Sequence, residues 1–362
     1  MHRAKRGQYI FKLSRDNHPM PTPPPAAPQA QPLSPPFLSP KATGITAAVV
    51  TVFIWTAFIV IARASAQRTL TPFDIALARF IGAAVVLVPW GWWLVKTEKL
   101  QGWLGLSPLP FKLTALIGSL GGLGYAMLAY SGFFFAPAAH ASVLLPGTLP
   151  LSTALVAAVI LKDRITPTRA LGLALILAGD VLVGGASLLK AFDGGETWKG
   201  DLLFLSASTC WAFYSVLARK HALDAVKATA AITVFALVTY VPVYSLLVLL
   251  EAVPSHLSAA PWGEIAFQLV FQGLGSVVVS GIGFTKMIQH FGPVRSTMIT
   301  ALVPSLSALG AVYFLGEPLY WNLLAGLALV TLGILFGVRK TKPALPSATS
   351  ITPDSIAASA RL

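Results

Sequence analysis

Cysteine and charged residues are both scarce in this sequence of 362 residues. Cys210 is the only cysteine, so the chain cannot form an intramolecular disulfide or a zinc site built on cysteines. Charged residues make up 11% of the chain, whereas soluble domains carry about 25%. Hydrophobic residues reach 55%, and the mean hydropathy is +0.73. This composition excludes a soluble enzyme, a disordered protein and a nucleic-acid-binding protein.

The motifs of ATP-driven and catalytic proteins are also missing. The sequence has no P-loop, no HExxH zinc motif and no nucleophile elbow. We therefore expect neither ATP-driven work nor enzymatic activity, and neither a cofactor nor a bound metal.

Apolar stretches near the ~20 residues that cross a bilayer as a helix follow one another from residue 43 onward. The predicted spans are Ile45–Ser65, Pro72–Val95, Phe111–Phe135, Ala138–Leu161, Thr166–Leu188, Asp201–Arg219, Ala228–Leu250, Ile265–Gln289, Val294–Gly316 and Trp321–Val338. The short connections between them favour one compact bundle. The sequence therefore predicts an all-α membrane protein with ten transmembrane helices.

The two ends of the chain differ from this apolar body. Residues 19–40 contain ten prolines, a density that opposes helix formation and burial. We predict a disordered, Pro-rich cytoplasmic tail over residues 1–42 and a second cytoplasmic tail over residues 341–362.

The distribution of basic residues orients the predicted bundle. With the N-terminus inside, the connections on the cytoplasmic side carry eleven lysines and arginines, against four on the outer side, namely Arg63, Arg68, Lys190 and Lys199. Cytoplasmic loops of membrane proteins show this excess. We expect both termini in the cytoplasm, which requires an even number of spans.

The two halves of the sequence resemble each other at an offset of 154 residues. Pro150 falls on Pro304, Gly172 on Gly326 and Gly179 on Gly333. At an offset of 156, Trp55 falls on Trp211. We therefore predict two repeats, over residues 43–189 and 198–340. Five helices in each repeat make the second insert upside down relative to the first, as in many secondary transporters.

The sequence also resembles a known family in several motifs. These are Trp55 with Trp211, the run Ala78-Arg79-Phe80, and the stretch from Gly292-Pro293-Val294-Arg295 through Leu302-Val303-Pro304 to Gly316-Glu317-Pro318. In them the chain is similar to the drug/metabolite transporter superfamily, in its ten-helix branch with two EamA-type domains. The resemblance covers residues 43–340. It implies transport of small metabolites, amino acids, sugars or drugs, and on family grounds alone we favour efflux.

Aromatic and bent positions are the first candidates for a substrate site. Trp55 and Trp211 lie near the middle of their spans, where an indole can stack on a substrate or simply fill the core. Pro150 and Pro304 are predicted to lie within helices and to kink them, which either frees carbonyls toward a cavity or only shapes the packing.

Polar residues inside the spans supply further candidates. Gln268, Gln272, Ser276 and Ser280 recur every fourth residue and form a stripe expected to face the interior, where it lines a hydrated pathway or bonds to other helices. Gln272 and Ser276 lie deepest. Arg79 either binds an anionic group, gates the outer mouth, or is a paired structural arginine. Tyr125 and Tyr214 are weaker substrate-binding candidates.

Asp180 is the one acid clearly inside a predicted span, and Ile334 occupies the equivalent place in the second repeat. It is a candidate for proton coupling, because intramembrane acids commonly have a function. The alternative is a protonated or hydrogen-bonded acid on a helix that, by the resemblance, packs away from the cavity.

Together these features predict a secondary transporter for a small neutral or zwitterionic metabolite, working by alternating access in the inner membrane. Its partners would be the lipid bilayer and a small-molecule substrate but no nucleic acid. The sequence is compatible with assembly as a homodimer. An uptake permease has the same sequence signature. A membrane-embedded enzyme and a channel rank below both.

Overall fold

The computed structural model describes residues 39–65, 68–136, 138–184, 195–316, 319 and 321–338. Residues 1–38 of the predicted N-terminal tail and all of the predicted tail 341–362 lie outside the described residues. Every regular element within the described ranges is helical. The all-α prediction is therefore confirmed for this part of the chain.

The helices are numbered here along the chain. They are α1 (Pro40–Ser65), α2 (Pro72–Thr97), α3 (Phe111–Gly118), α4 (Tyr125–Gly132), α5 (Ala138–Leu144), α6 (Leu149–Ile160), α7 (Pro167–Gly184), α8 (Thr197–Lys220), α9 (Ala225–Leu249), α10 (Trp262–Gln268), α11 (Ser280–Phe291), α12 (Pro293–Thr300), α13 (Val303–Leu315) and α14 (Trp321–Val338). A short 3-10 helix, Trp103–Gly105, precedes α3.

Eight segments of the described chain are long and apolar enough to cross a membrane. They are Lys41–Ile61, Pro72–Thr97, Phe111–Gly132, Thr197–Lys220, Ala225–Leu249, Trp262–Phe291, Pro293–Phe314 and Trp321–Val338. The predicted spans 138–161 and 166–188 are not among them; α5 and α6 divide the first, and α7 covers most of the second. Ten crossing helices therefore stay a prediction.

Pro150 and Pro304 correct one expectation about helix geometry. Neither proline kinks a continuous helix, because residues 145–148 separate α5 from α6 and residues 301–302 separate α12 from α13. Each proline instead lies in the first turn of the second half-helix. Its missing N–H breaks no intrahelical hydrogen bond there, and its fixed φ suits a helix start. The two prolines thus mark where a broken helix begins again.

A π-helical segment interrupts the third helix in each of the two repeats. Ser119–Gly124 joins α3 to α4, and Leu269–Val279 joins α10 to α11. Moved by the offset of 154, the first falls on residues 273–278, within the second. Such wide turns are rare and often occur at functional sites. The repeats therefore share an irregular backbone as well as sequence.

Glycines bring the backbones of α7 and α14 into direct contact. A Cβ atom on Gly172 would lie 2.6 Å from the carbonyl oxygen of Gly333, and one on Gly179 would lie 2.7 Å from that of Gly326. Only glycine permits so close an approach. Because Gly172 corresponds to Gly326 and Gly179 to Gly333, exchanging the two repeats turns each contact into the other.

A buried carboxylate fixes the start of α2. Thr71 and Asp74 form a capping box, in which each side chain accepts a hydrogen bond from the backbone N–H of the other residue. Asp74 also accepts from the Tyr244 hydroxyl at 2.7 Å, the Ser255 hydroxyl at 2.7 Å and the His256 backbone N–H at 3.0 Å. The network therefore ties α2 to α9 and to the segment that follows α9.

Candidate functional site

A cavity lies between helices of both repeats and contains five of the predicted site residues. Trp55, Arg79 and Tyr125 come from the first repeat, and Trp211 and Ser276 from the second. The other lining residues were not predicted; they are Phe58, Ile59, Leu145, Pro146, Leu149, Ser208 and Val303. Leu145 and Pro146 belong to the break before α6, and Leu149 and Val303 are the first residues of α6 and α13. The broken helices, rather than their prolines, therefore contribute to the wall.

A second cavity shares three of these residues and adds Tyr214. Arg79, Trp211 and Ser276 line both spaces. Residues missed by the sequence analysis complete the second wall, among them Gly121, Gly122, Thr229, Thr233 and Gly281. Spacing offered some signal for them, because Thr229 and Thr233 are four residues apart on α9. Nothing in the sequence indicated which helix they face.

Both cavities are small in this conformation. The first offers about 40 Å³ and the second about 30 Å³ to the centre of a water-sized sphere. One water needs roughly 10–15 Å³ by this measure. Each cavity therefore has room for a few waters.

Trp211 is the centre of an aromatic cluster beside both cavities. Its ring lies 4.9 Å from that of Tyr125, 5.3 Å from Tyr214, 5.6 Å from Phe284 and 5.8 Å from Trp55, measured between centroids. Tilted and edge-on pairs at these separations are favourable. The cluster presents a broad apolar surface next to a few polar atoms.

A chain of hydrogen bonds connects the two repeats at the same level. Arg79 donates from Nη1 to the Ser276 hydroxyl at 2.7 Å. Trp55 donates from Nε1 to the Ser280 hydroxyl at 3.1 Å, and that hydroxyl donates to the Ser276 carbonyl oxygen at 2.6 Å. The polar stripe thus serves as a bonding surface for helices of the first repeat.

The four members of the stripe are all buried, namely Gln268, Gln272, Ser276 and Ser280. The π-helical segment helps to keep them on one side of the helix, because its wider turn holds more residues than an α-helical turn, so residues four apart lie closer to one line along it. Ser276 lines both cavities, whereas Gln272 is not among the lining residues of either. The Gln272 side-chain oxygen has no hydrogen-bond partner among the described residues.

Asp180 is buried outside the cavities, and neither carboxyl oxygen has a hydrogen-bond partner within the described residues. It lies against the break between α5 and α6, because a Cβ on Gly147 would approach Oδ2 to 2.7 Å. The preceding residue, Pro146, lines the first cavity. Asp180 therefore contacts the backbone of the cavity wall, although its own helix does not line it.

Comparisons with known proteins agree with this architecture. The EamA-like transporter family matches residues 42–185 and 198–339, one match for each repeat. The uncharacterized transporter YyaM of Bacillus subtilis is 26% identical over 223 residues, covering 61% of this chain and 70% of that one. The WAT1-related protein At5g40210 of Arabidopsis thaliana is 24% identical over 316 residues, covering 82% and 88% of the two chains.

A protein of known crystal structure has the same fold. It superposes with a TM-score of 0.60 at 22% sequence identity, over 81% of this chain and 96% of the other. Two family matches and eight apolar helices in the described residues make this a multi-pass membrane protein built from two repeats. They indicate a transporter rather than an enzyme. The chain belongs to the EamA-like transporter family.

Proposed function

We propose that the chain is a secondary transporter that moves a small neutral or zwitterionic metabolite, amino-acid-like or drug-like, by alternating access. The observation that carries the proposal is a cavity walled by both repeats, with Trp55 and Arg79 on one side and Trp211 and Ser276 on the other. Relative motion of the two walls changes its shape and its openings. A substrate site at the repeat interface is the arrangement that this mechanism requires.

The second repeat is inverted relative to the first in this proposal. The glycine contacts support it: α7 meets Gly333 at Gly172 and Gly326 at Gly179, so the two helices run in opposite directions along the contact. An axis that exchanges two equivalent antiparallel helices lies perpendicular to them. For helices that cross a bilayer, that axis lies in the membrane plane.

Transport begins in this scheme when the substrate separates the aromatic cluster. Trp55, Tyr125 and Trp211 pack on its apolar part, while Ser276 and Arg79 bind its polar groups. The breaks at residues 145–148 and 301–302 act as hinges, because helical hydrogen bonding is already interrupted there. Pro150 and Pro304 belong to the site through these hinges. Gln272 supports the wall from behind Ser276.

Asp180 couples the movement to protons in the same proposal. A carboxyl group buried without a hydrogen-bond partner among the described residues is costly, and intramembrane acids are commonly functional. Its position against Gly147 places the charge change at one hinge. Losing the proton when water reaches the hinge would then favour an opened state.

The remaining parts of the proposal concern topology and direction. We place the protein in the inner membrane with ten spans and both termini in the cytoplasm, on the distribution of lysine and arginine. The predicted repeat bounds 43–189 and 198–340 and the two cytoplasmic tails belong to the same scheme. Efflux is favoured over uptake, and assembly as a homodimer stays open.

A sidedness assay tests the function. Cells that overexpress the chain are compared by metabolite survey, inside and outside, with cells expressing Trp211→Ala or Gln272→Ala. The candidate solutes are then followed in inverted and right-side-out vesicles, with and without a proton gradient. We expect saturable, gradient-dependent movement that both variants reduce. Unsaturable flux would indicate a channel, and chemical conversion of a solute would indicate an enzyme.

A further inference from the structure

We propose that the Arg79–Ser276 hydrogen bond is a latch between two stacked cavities, and that a carboxylate on the substrate opens it. The inference rests on the proposed function and deepens its zwitterionic alternative, since it specifies a substrate with one carboxylate and an apolar, preferably aromatic, body.

The two cavities are displaced from each other along the helix axes. On α8, Ser208 lines the first and Tyr214 the second, six residues further along, a distance of about 9 Å at 1.5 Å per residue. On the third helix the order is reversed, because Tyr125 lines the first cavity and Gly121 the second. The chain thus passes the first cavity and then the second on α8, and the second and then the first on the third helix. This order is expected when the cavities are stacked end to end between antiparallel helices.

Three residues separate the stacked cavities. Arg79, Trp211 and Ser276 line both, and the guanidinium bridges the partition by its 2.7 Å hydrogen bond to the Ser276 hydroxyl. Arg79 belongs to the first repeat and Ser276 to the second. Breaking this one bond removes a polar link between the repeats at the level where the two cavities meet.

The partition has donors in excess of acceptors. Arg79 is always charged, and the described residues offer it the neutral hydroxyls of Ser276 and Tyr130 but no salt bridge with a carboxylate. The Trp211 indole N–H is buried and has no acceptor among those residues. Among the residues that the structure describes, no acidic side chain lines either cavity. The guanidinium and the buried indole N–H are thus two donors beside cavities whose described lining offers no acidic acceptor, which favours an anion from outside.

A carboxylate satisfies these donors better than Ser276 does. It accepts two parallel hydrogen bonds from one guanidinium, and its negative charge strengthens both. The Ser276 hydroxyl has a single, uncharged oxygen and accepts one weaker bond. A substrate carboxylate therefore displaces Ser276 from Arg79 and takes the Trp211 N–H as an additional donor. Substrate binding and release of the latch become one event.

The rest of the lining limits the class of anion. Arg79 is the one cation that the described part of the chain contributes to the two cavities, so a dianionic phosphate would bring more negative charge than this wall can neutralise. Trp55, Phe58 and Tyr125 offer rings to the remainder of the molecule. A monocarboxylate with an aromatic body fits both conditions.

Binding to the purified full-length protein in lipid nanodiscs tests the assignment with two matched probes, 3-phenylpropanoate and 3-phenylpropanamide. We expect wild type to bind the acid about tenfold more tightly than the amide. Arg79→Gln should remove this preference, and Arg79→Lys should keep part of it. Ser276→Ala should bind the acid more tightly, because the competing hydroxyl is gone. If Arg79 had only a structural role, Arg79→Gln would lower the affinity for both probes by the same factor.

Equal affinity of wild type for the acid and the amide overturns the latch. This comparison uses only wild type, so it does not depend on whether a variant folds. A preference that persists in Arg79→Gln overturns it as well. Failure of the proposed function looks different: wild-type vesicles then transport no solute, while the preference for the acid remains. Conversely, saturable transport of neutral solutes that Arg79→Gln leaves unchanged sustains the transporter and removes the latch.

Discussion

Trp55 and Trp211 occupy equivalent places in the two repeats, and their rings contact each other at 5.8 Å between centroids, with the planes at 74°. Two equivalent residues that touch lie next to the axis that exchanges the repeats. The indoles therefore mark one place, close to that axis, where the two halves of the molecule meet. The candidate substrate cavity opens beside them.

The first prediction concerns this pair. Trp211→Phe should lower the transport rate about tenfold, because it removes the buried donor and part of the aromatic surface. Uptake into vesicles containing equal amounts of protein measures the effect. Trp262→Phe is the matched control, since Trp262 is 83% exposed and is not among the residues that line the cavities. Equal rates for the two variants would contradict the site.

The second prediction concerns Asp180. Asp180→Asn keeps the size of the side chain but holds no exchangeable acid proton, so the stimulation of transport by a proton gradient should disappear. Substrate binding should change little, because Asp180 lines neither cavity. Transport measured with and without the gradient, over a range of pH, decides the point.

Glu251→Gln is the control for this experiment, because Glu251 is exposed at the end of α9. Gradient dependence that survives in Asp180→Asn would assign the buried acid a structural role.

The third prediction concerns the glycine contacts of α7 and α14. A Cβ on Gly179 would meet the carbonyl oxygen of Gly326 at 2.7 Å, and one on Gly326 would meet that of Gly179 at 2.7 Å. Each alanine variant should lose about 1–3 kcal/mol of stability, and the two losses should be similar. Thermal unfolding in detergent measures them.

Gly263→Ala is the matched control, because nothing lies within 4 Å of a Cβ at that helical position. A melting temperature for Gly179→Ala equal to that of the control would show that the helices separate easily.

The fourth prediction concerns the carboxylate at the start of α2. Asp74→Ala leaves the Tyr244 and Ser255 hydroxyls and the His256 N–H without their acceptor. Such a loss should cost about 3 kcal/mol, seen as a lower melting temperature. Asp74→Asn should recover part of it, since one amide oxygen still accepts. If Asp74→Ala and Asp74→Asn have the melting temperature of wild type, the network contributes nothing to stability.

The apolar runs and the repeat were predictable, and the interruptions within them were not. The hydropathy of a segment measures how favourably its residues enter lipid. Its value is the same whether residues 145–148 continue a helix or interrupt it. Pro150 and Pro304 signalled an irregularity, but a proline suits a helix start as well as a kink. The π-helical segments carry no comparable signal, because their apolar, glycine, serine and glutamine residues also occur in ordinary α-helices.

The candidate site was predictable only one helix at a time. Trp55, Arg79 and Ser276 stood out because a polar or aromatic residue is unusual at its depth in an apolar span. Their pairing was hidden, since Arg79 and Ser276 are 197 residues apart and only tertiary packing brings them to 2.7 Å. Ser208 escaped notice because a serine within a helix is common.

The orientation of the two repeats is the claim on which the transport mechanism depends most. The connection after α2 and the connection after α9 are equivalent by the offset of 154, and Gln101 and Ser258 are exposed in them. In a Cys210→Ser background, Gln101→Cys and Ser258→Cys are exposed in turn to a membrane-impermeant thiol reagent added to intact cells. We predict labelling of Ser258→Cys from outside, and labelling of Gln101→Cys only after the membrane is opened. Labelling of both from the same face would contradict the inverted repeat and the shared cavity.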